Sequence, residues 1–262
     1  ENMALLRESL YFQLAVGSLL LGYAYFHFVY NADTTVVTLN NLQLTYFPLQ
    51  GRGEPIRIFL KYLDIEFEDI RVTGDEWKEL KTSEEGKKFT FGQLPHLQNG
   101  DFSITQMNAI LAHIDRQARI REKLLTGEHY LVKQEQYAYA IEDFRGRLTR
   151  LAYGSSDGKD EYLDSLPKYL KYFEEILLDN GGFYGAGNYL VGDKISYVDI
   201  SLWDVLDKHF SEKLAGPDYL DDFPMLKAFF SRIKEEPKIS AYLNSEERPK
   251  QVYGSRAWLN EQ

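Results

Sequence analysis

The sequence predicts an α/β domain followed by an all-helical domain, with a single transmembrane helix in front of them. Three observations support this fold class. A 24-residue stretch without Asp, Glu, Lys or Arg runs from Ser9 to Ala32, short strand-like segments alternate with helices up to about residue 120, and amphipathic helices fill the remainder of the 262 residues. We therefore expect a membrane anchor over residues 1–33 and domains over residues 36–120 and 121–262.

The uncharged stretch has the length and the flanking residues of a membrane span. Its centre over residues 14–22 is apolar and rich in small residues, and Tyr and Phe gather at both ends. A bilayer core requires about 20 residues of apolar helix, and Tyr favours the headgroup level. A signal peptide, which would require a more basic start, and a buried core helix are the alternatives. We expect residues 9–32 to contact the lipid bilayer, with the mitochondrial inner membrane and the endoplasmic reticulum as candidate locations.

The composition excludes several classes of function. The chain contains no cysteine, so it can form neither a disulfide nor a cysteine-ligated metal site, and it has no cysteine nucleophile. Its net charge of -10 argues against nucleic acid as a partner, because binding to the phosphate backbone requires a basic surface. The five histidines show no metal-ligand spacing, so we expect no metal.

Strands and helices alternate in the first domain. Residues 42–47 alternate between apolar and polar side chains, which indicates a strand. Pro55 then opens a helix with an apolar face formed by Ile56, Phe59, Leu60 and Leu63. The elements that follow are a strand over 67–72, a strand over 94–98, a tight turn over 99–101, a strand over 102–104 and a helix over 106–118. This βαβ-ββα order predicts a small mixed sheet packed by helices.

The second domain reads as helical to its end. Amphipathic stretches cover residues 129–153, 160–179, 196–214 and 224–235. Ser196 and Asp199 have the spacing of a capping box, in which their side chains satisfy backbone groups at the start of a helix.

Five segments resemble one enzyme family. Tyr46–Arg57, with the sequence Tyr-Phe-Pro-Leu-Gln-Gly-Arg-Gly-Glu-Pro-Ile-Arg, resembles the opening of sigma-, mu- and pi-class soluble glutathione transferases. The segment over 62–69 is most similar to the sigma class. Gly92-Gln-Leu-Pro95 and Gln106–Leu111 resemble the segments where this family binds glutathione, and residues 192–199 resemble its helical folding motif.

The resemblance spans about residues 36–245 and implies the glutathione transferase fold. In that fold a thioredoxin-like domain, with a cis proline expected at Pro95, is followed by an all-helical domain that builds the pocket for a second, apolar substrate. Members of the family usually form dimers. Glutathione is then the expected substrate, and an apolar electrophile is its expected partner in the reaction.

Tyr46 is the residue that the resemblance assigns to catalysis. Conjugation requires the glutathione thiolate, yet a free thiol has a pKa near ~8.5. A hydroxyl that donates a hydrogen bond to the sulfur favours the charged form. Because the chain has no cysteine, any reacting sulfur has to arrive with glutathione.

The resemblance also assigns residues to the two substrate pockets. The residues matched to glutathione contacts are Arg52, Trp77, Lys81, Gln93, Leu94, Pro95, Gln106, Met107 and Asp143. Among them, Gln106 lies at a helix N-terminus suited to the γ-glutamyl carboxylate, and Asp143 is matched to an acid that reaches the glutathione of the partner subunit. Phe47 and Tyr153 are matched to the pocket of the second substrate.

Met107 departs from the family pattern, which usually has Ser at this position. The serine hydroxyl holds the γ-glutamyl carboxylate, and a hydrogen bond to a charged group contributes about 1.5–3 kcal/mol. We therefore expect weakened glutathione binding, with the backbone contact retained.

Two functions remain open from the sequence. The first is a membrane-anchored, sigma-like glutathione transferase or isomerase that acts on apolar electrophiles. The second is a transferase-fold accessory subunit of a membrane complex that binds glutathione weakly or not at all. The retained thiol site favours the first, and Met107 together with the predicted anchor favours the second.

Overall fold

A four-stranded mixed sheet forms the first part of the protein in the structure, which is a computed structural model describing residues 39–121, 127–183, 188–210 and 214–260. The strands are β1 (Leu42–Tyr46), β2 (Phe67–Arg71), β3 (His96–Asn99) and β4 (Phe102–Thr105). Their order is β2-β1-β3-β4, with β1 parallel to β2 and antiparallel to β3, and with β3 antiparallel to β4. The predicted mixed sheet is confirmed. Because β1 is an inner strand, its carboxyl end lies at the middle of the sheet and not at its edge.

Eight α-helices accompany the sheet in the described residues. Those of the first part are α1 (Glu54–Tyr62), α2 (Gly74–Thr82) and α3 (Met107–Arg121), and those of the second part are α4 (Glu128–Tyr153), α5 (Lys159–Phe183), α6 (Tyr197–Asp207), α7 (Pro224–Glu235) and α8 (Pro237–Leu243). The predicted apolar face of α1 is buried at Ile56, Phe59 and Leu60. Helix α1 packs against both α6 and α3, so the core is continuous from the sheet to the helices.

Helix α2 is missing from the predicted βαβ-ββα order. It leaves no residue buried, so it has no strong apolar face to produce a periodic signal. Its start is nevertheless encoded, because Thr73 and Glu76 form a capping box: the Glu76 carboxylate accepts from the Thr73 N–H at 2.7 Å, and the Thr73 hydroxyl accepts from the Glu76 N–H at 3.3 Å.

The helix predicted over 196–214 is shorter than expected. It ends at Asp207 and continues as a 3-10 turn over Lys208–Phe210, while α8 was not predicted because seven residues give too few turns for a periodic pattern. The start is as predicted, since the buried Asp199 carboxylate accepts from the Ser196 N–H at 2.8 Å and from its hydroxyl at 2.6 Å.

The predicted membrane anchor over residues 9–32 lies outside the described residues. Among the residues that the structure describes, no helix is long and apolar enough to cross a bilayer.

Candidate functional site

Tyr46 ends β1 and is enclosed by the loop that follows it. Its hydroxyl oxygen accepts a hydrogen bond from the Arg52 backbone N–H at 2.9 Å. Two glycines make room for the ring: a Cβ on Gly51 would lie 2.6 Å from the Tyr46 hydroxyl oxygen, and one on Gly53 would lie 2.6 Å from Cδ1. Gly51 also has a φ of +41°, which favours glycine. The Gly-Arg-Gly sequence is therefore required by the position of the Tyr46 side chain.

The hydroxyl of Tyr46 is held as a hydrogen-bond donor. Burial raises the pKa of Tyr46 above its usual value of 10.0, and the N–H of Arg52 opposes this only in part. The phenol is consequently neutral near neutral pH. Because the oxygen already accepts from Arg52, its own hydrogen is free to point to a ligand.

Arg57 fixes the loop from below, and the sequence analysis gave it no role. This fully buried guanidinium donates to the carbonyl oxygens of Leu49 at 3.0 Å and Phe47 at 3.4 Å. Its Nε contacts both carboxylate oxygens of Asp69 at 3.1 and 3.0 Å. From the other side, the N–H groups of the loop at residues 50 and 51 donate to carbonyl oxygens of the C-terminal segment at residues 251 and 252.

A cavity of about 480 Å³ lies beside this loop, and we call it the first cavity. It is lined by Phe47, Arg52, Trp77, Gly92, Gln93, Leu94, Pro95, Gln106, Met107 and Glu142. Seven of the nine residues predicted to bind glutathione are thus brought together, although they come from four separate segments. The Leu94–Pro95 peptide bond is cis, as predicted.

The start of α3 faces the first cavity because of an unusual backbone conformation. Gln106 has a φ of 72°, which is rare for a residue other than glycine and marks local strain. Its side-chain amide donates to the Gln93 side chain at 2.9 Å, so the two predicted glutamines are hydrogen-bonded to each other. Met107, the first residue of α3, is buried in the core, and this packing accounts for an apolar side chain at that position.

Lys81 lies at the margin of the first cavity. A Cβ on Gly92 would lie 3.1 Å from its Cε atom, so the lysine side chain passes directly over that glycine. Trp77, four residues earlier on α2, packs edge-to-face on Phe89 with ring centroids 5.0 Å apart. Arg52 closes the opposite side through an ion pair with Glu142 at 2.5 Å. The cavity therefore has cations at two of its edges, of which Arg52 is paired with Glu142, a carboxylate that also lines the cavity.

A second cavity of about 170 Å³ lies on the other side of Arg52. It is lined by Tyr46, Leu49, Gly51, Arg52, Arg145, Leu148, Thr149, Tyr153, Lys208 and Tyr253. Tyr153 was predicted for the second-substrate pocket and lies here, where its hydroxyl accepts from the Gly254 N–H at 2.7 Å. Phe47, which was predicted for the same pocket, lines the first cavity instead.

Asp143 lines neither cavity of its own chain, and its side chain is exposed on α4. The sequence analysis also missed Arg145, Lys208 and Tyr253. They come from α4, the turn after α6 and the C-terminal segment, and only tertiary packing brings them together. Among the described residues, no group of three or more acidic or histidine side chains is placed to hold a metal ion.

Comparisons with known proteins agree with this fold and site. Residues 42–116 match the family model described as glutathione S-transferase, N-terminal domain, and residues 142–246 match the model for the C-terminal domain. Glutathione S-transferase 2 of Onchocerca volvulus is 37% identical over 79% of this chain and 94% of that protein, and glutathione S-transferase P of Capra hircus is 34% identical over 78% and 92%.

Solved structures give the same result. The Pi-class glutathione S-transferase of Onchocerca volvulus superposes with a TM-score of 0.72 at 35% identity, covering 83% of this chain and 99% of that one. The glutathione S-transferase of Ascaris lumbricoides has a TM-score of 0.68 at 26% identity, covering 81% and 100%. The chain belongs to the glutathione S-transferase family. It is a glutathione transferase, and glutathione is its substrate.

The predicted location in a membrane, whether the mitochondrial inner membrane or the endoplasmic reticulum, is wrong. The chain is matched to Pi-class glutathione S-transferase over nearly the whole of that protein, and no described helix could span a bilayer. The same comparisons do not support a lipid partner or a role as subunit of a membrane complex. The prediction rested on the missing charges, on an apolar centre over residues 14–22 and on aromatic residues at both ends, although residues 9–32 also include four tyrosines and several other polar side chains.

Proposed function

We propose that this transferase conjugates glutathione to small electrophiles, with the Tyr46 hydroxyl stabilising the reacting thiolate. The observation that carries the proposal is the position of Arg52. Arg52 lines both cavities, and its backbone N–H holds the Tyr46 hydroxyl. Tyr46 itself lines the second cavity, so a sulfur bound at the edge of the first cavity beside Arg52 would meet its hydroxyl and could attack an electrophile in the second cavity.

Glutathione occupies the first cavity in this proposal. Arg52 and Lys81 balance its carboxylates, and Trp77 contacts its glycine end. The main chain before Pro95 pairs with its cysteinyl backbone, and Gln93 and the start of α3 receive the γ-glutamyl group. Residues 36–120 then form the glutathione-binding domain, and residues 121–262 supply most of the second cavity. The Pi-class neighbour favours a pi-like enzyme over the sigma-like type.

The thiolate is stabilised by one hydrogen bond of a predictable magnitude. A hydrogen bond to a charged group contributes about 1.5–3 kcal/mol, and about 1.4 kcal/mol corresponds to one pKa unit. Starting from a thiol pKa of ~8.5, Tyr46 therefore brings the bound thiol to a pKa of about 6.5–7.5. About a quarter to three quarters of the bound glutathione is then thiolate at pH ~7, compared with about 3% at a pKa of ~8.5.

Tyr46→Phe tests this role directly. We expect the pKa of bound glutathione, followed by the ultraviolet absorbance of its thiolate, to rise by about one to two units. The rate of conjugation to a chloronitrobenzene at pH ~6.5 should fall about 10- to 100-fold. Tyr172→Phe, which alters an exposed tyrosine of α5, is the matched control and should leave both values unchanged. An unshifted thiol pKa in Tyr46→Phe would exclude the proposed role.

We also propose a homodimer formed across the exposed face of α4. Val132, Tyr139 and Asp143 share one side of this helix at spacings of seven and four residues. Val132 and Tyr139 are 55% and 72% exposed, which is unusual for large apolar side chains that lie together. Burying this face against a second copy would bring Asp143 toward the glutathione of the partner.

A further inference from the structure

Most polar side chains that line the second cavity are arranged as hydrogen-bond donors; the exception is Thr149, whose hydroxyl hydrogen is donated to the Arg145 carbonyl oxygen at 2.9 Å. Arg52, Arg145 and Lys208 are cations that can only donate. The hydroxyl oxygens of Tyr46 and Tyr153 already accept from backbone N–H groups, at 2.9 and 2.7 Å. The hydrogen of the Tyr46 hydroxyl is assigned to the glutathione sulfur, and that of the Tyr153 hydroxyl is left for a ligand of this cavity. No carboxylate lines the cavity, in a chain whose net charge is -10.

Tyr253 adds a polar group that has no partner. Its side chain is only 7% exposed, and among the described residues its hydroxyl oxygen makes no hydrogen bond. Its ring packs edge-to-face against Tyr153, with centroids 6.1 Å apart. A buried hydroxyl without a partner costs about 1–3 kcal/mol, so a ligand that accepts its hydrogen would recover this free energy.

Lys208 is a buried ammonium group, and it shares the carboxylate of Asp204 with Arg145. Its side chain is 4% exposed, and its Nζ contacts one oxygen of Asp204 at 2.5 Å. Arg145 contacts the other oxygen of Asp204 and also donates to the Ser201 carbonyl oxygen at 3.0 Å. Burial lowers the pKa of Lys208, although Asp204 opposes this. An ammonium group has three donors, and Asp204 is the partner that the described residues supply for one of them.

We propose that the second cavity selects electrophiles that carry a carboxylate, which accepts from Tyr253 and lies in the field of Lys208 and Arg145. This inference rests on the proposed function, because it concerns the second substrate of the same reaction. Conjugation itself is unchanged: the thiolate sulfur forms a bond to the electrophilic carbon, and the leaving group departs with its electron pair. The carboxylate contributes to binding and position only.

Two matched electrophiles test the selectivity. A chloronitrobenzoate and the corresponding chloronitrobenzamide share the leaving group and the nitro group, and they differ by one charge. With each rate divided by its uncatalysed rate, we expect kcat/KM to favour the benzoate by about tenfold or more, mainly through KM. A ratio of one, or a preference for the benzamide, would overturn the proposal. Failure of the proposed function would look different, since the benzamide would not react either.

Two variants assign the selectivity to its residues. In Tyr253→Phe and in Lys208→Met the benzoate-to-benzamide ratio should fall about tenfold or more. Tyr253→Phe removes only an unpartnered hydroxyl, so its thermal stability should be equal to or above that of the wild type. Lys171→Met removes an exposed cation on α5 and should keep the wild-type ratio. Equal losses with both electrophiles in Tyr253→Phe and Lys208→Met would show a purely structural role and contradict the inference.

Discussion

The substitution Gly53→Ala tests whether the position of the Tyr46 ring matters when its hydroxyl group is still present. The added methyl group would lie 2.6 Å from Cδ1 and 2.9 Å from Cγ of the Tyr46 ring, and 3.0 Å from Nη1 of Arg57, so the ring meets the closest contacts. Carbon atoms pack without repulsion at about 3.5–4.0 Å, so the ring has to withdraw by roughly 1 Å. Gly53 has a φ of -79°, which alanine adopts freely. The whole effect of the substitution is therefore steric, and the phenol hydroxyl is still present.

The expected magnitudes follow from this displacement. Overfilling a packed site costs about 1–3 kcal/mol of stability, and misplacing a catalytic group by 1 Å can reduce the rate by about 10²-fold. We expect Gly53→Ala to raise the pKa of bound glutathione toward ~8.5 and to lower kcat/KM for a chloronitrobenzene about 10- to 100-fold. Thiolate absorbance as a function of pH, steady-state kinetics and thermal unfolding measure the three effects.

Two other glycines provide controls for backbone strain and for the loss of a glycine. Gly100 has a φ of +59° and no atom within 4 Å of a built Cβ, whereas Gly74 has neither a positive φ nor a close neighbour. Gly100→Ala should lose about 1–3 kcal/mol of stability through strain and keep the thiol pKa. Gly74→Ala should gain about 0.4–1 kcal/mol. If Gly53→Ala retains the wild-type thiol pKa, the steric reasoning about Tyr46 is refuted.

Three further predictions concern other parts of the molecule. Met107→Ser restores a hydroxyl to the first cavity, so calorimetry should show glutathione binding about tenfold tighter or better, with about 2–4 kcal/mol of stability lost from the core; unchanged binding would show that the hydroxyl has no access. Burial lowers the pKa of His96 to about 4, so stability should fall as the pH drops below ~6.5, where the unfolded chain takes up the proton. In His96→Phe, the free energy of unfolding measured with denaturant should fall by about 2 kcal/mol less than in the wild type when the pH is lowered to ~5. The same pH dependence of unfolding in both proteins would exclude His96 as the cause. Tyr139→Glu should shift sedimentation toward monomer, whereas Tyr172→Glu on α5 should not; equal sedimentation of the two variants would place the interface elsewhere.

The sequence predicts the first cavity better than the second for a physical reason. The residues around Tyr46 and Pro95 are fixed by local geometry. The Tyr46 ring leaves no room for a Cβ at positions 51 and 53, so both positions have to be glycine. Such constraints leave a continuous motif in the sequence. Helix α2, by contrast, carries Trp77 to the cavity yet buries no residue, so only its capping box marks it.

The residues that form and support the second cavity are buried, and the hydrophobic periodicity of the sequence does not indicate this burial. Every residue of α6 from Tyr197 to Leu206 is buried, so the amphipathic pattern predicted over 196–214 does not correspond to an exposed polar face. Lys208 follows Asp204 at a spacing of four residues, which in an amphipathic helix reads as an exposed ion pair. The structure buries both side chains, because Arg145 and the C-terminal segment cover them. A spacing of four residues between opposite charges is therefore compatible with an exposed ion pair or with a buried pair beside a cavity, and tertiary packing determines which of the two forms.

The proposed reaction requires one environment to keep the pKa of Tyr46 high and to lower the pKa of the glutathione thiol. Burial disfavours any anion, so by itself it would raise the pKa of the sulfur as it raises that of Tyr46. In the proposed reaction the sulfur would escape this because the phenol hydrogen would point to it, and because Arg52, which lines both cavities, would supply a nearby cation. Since the free thiol has a pKa of ~8.5 and Tyr46 lies above 10.0, the shared proton stays on oxygen and the charge stays on sulfur. A Tyr46 whose pKa was lowered to that of the thiol would lose the proton itself, and the burial that raises its pKa works against this loss.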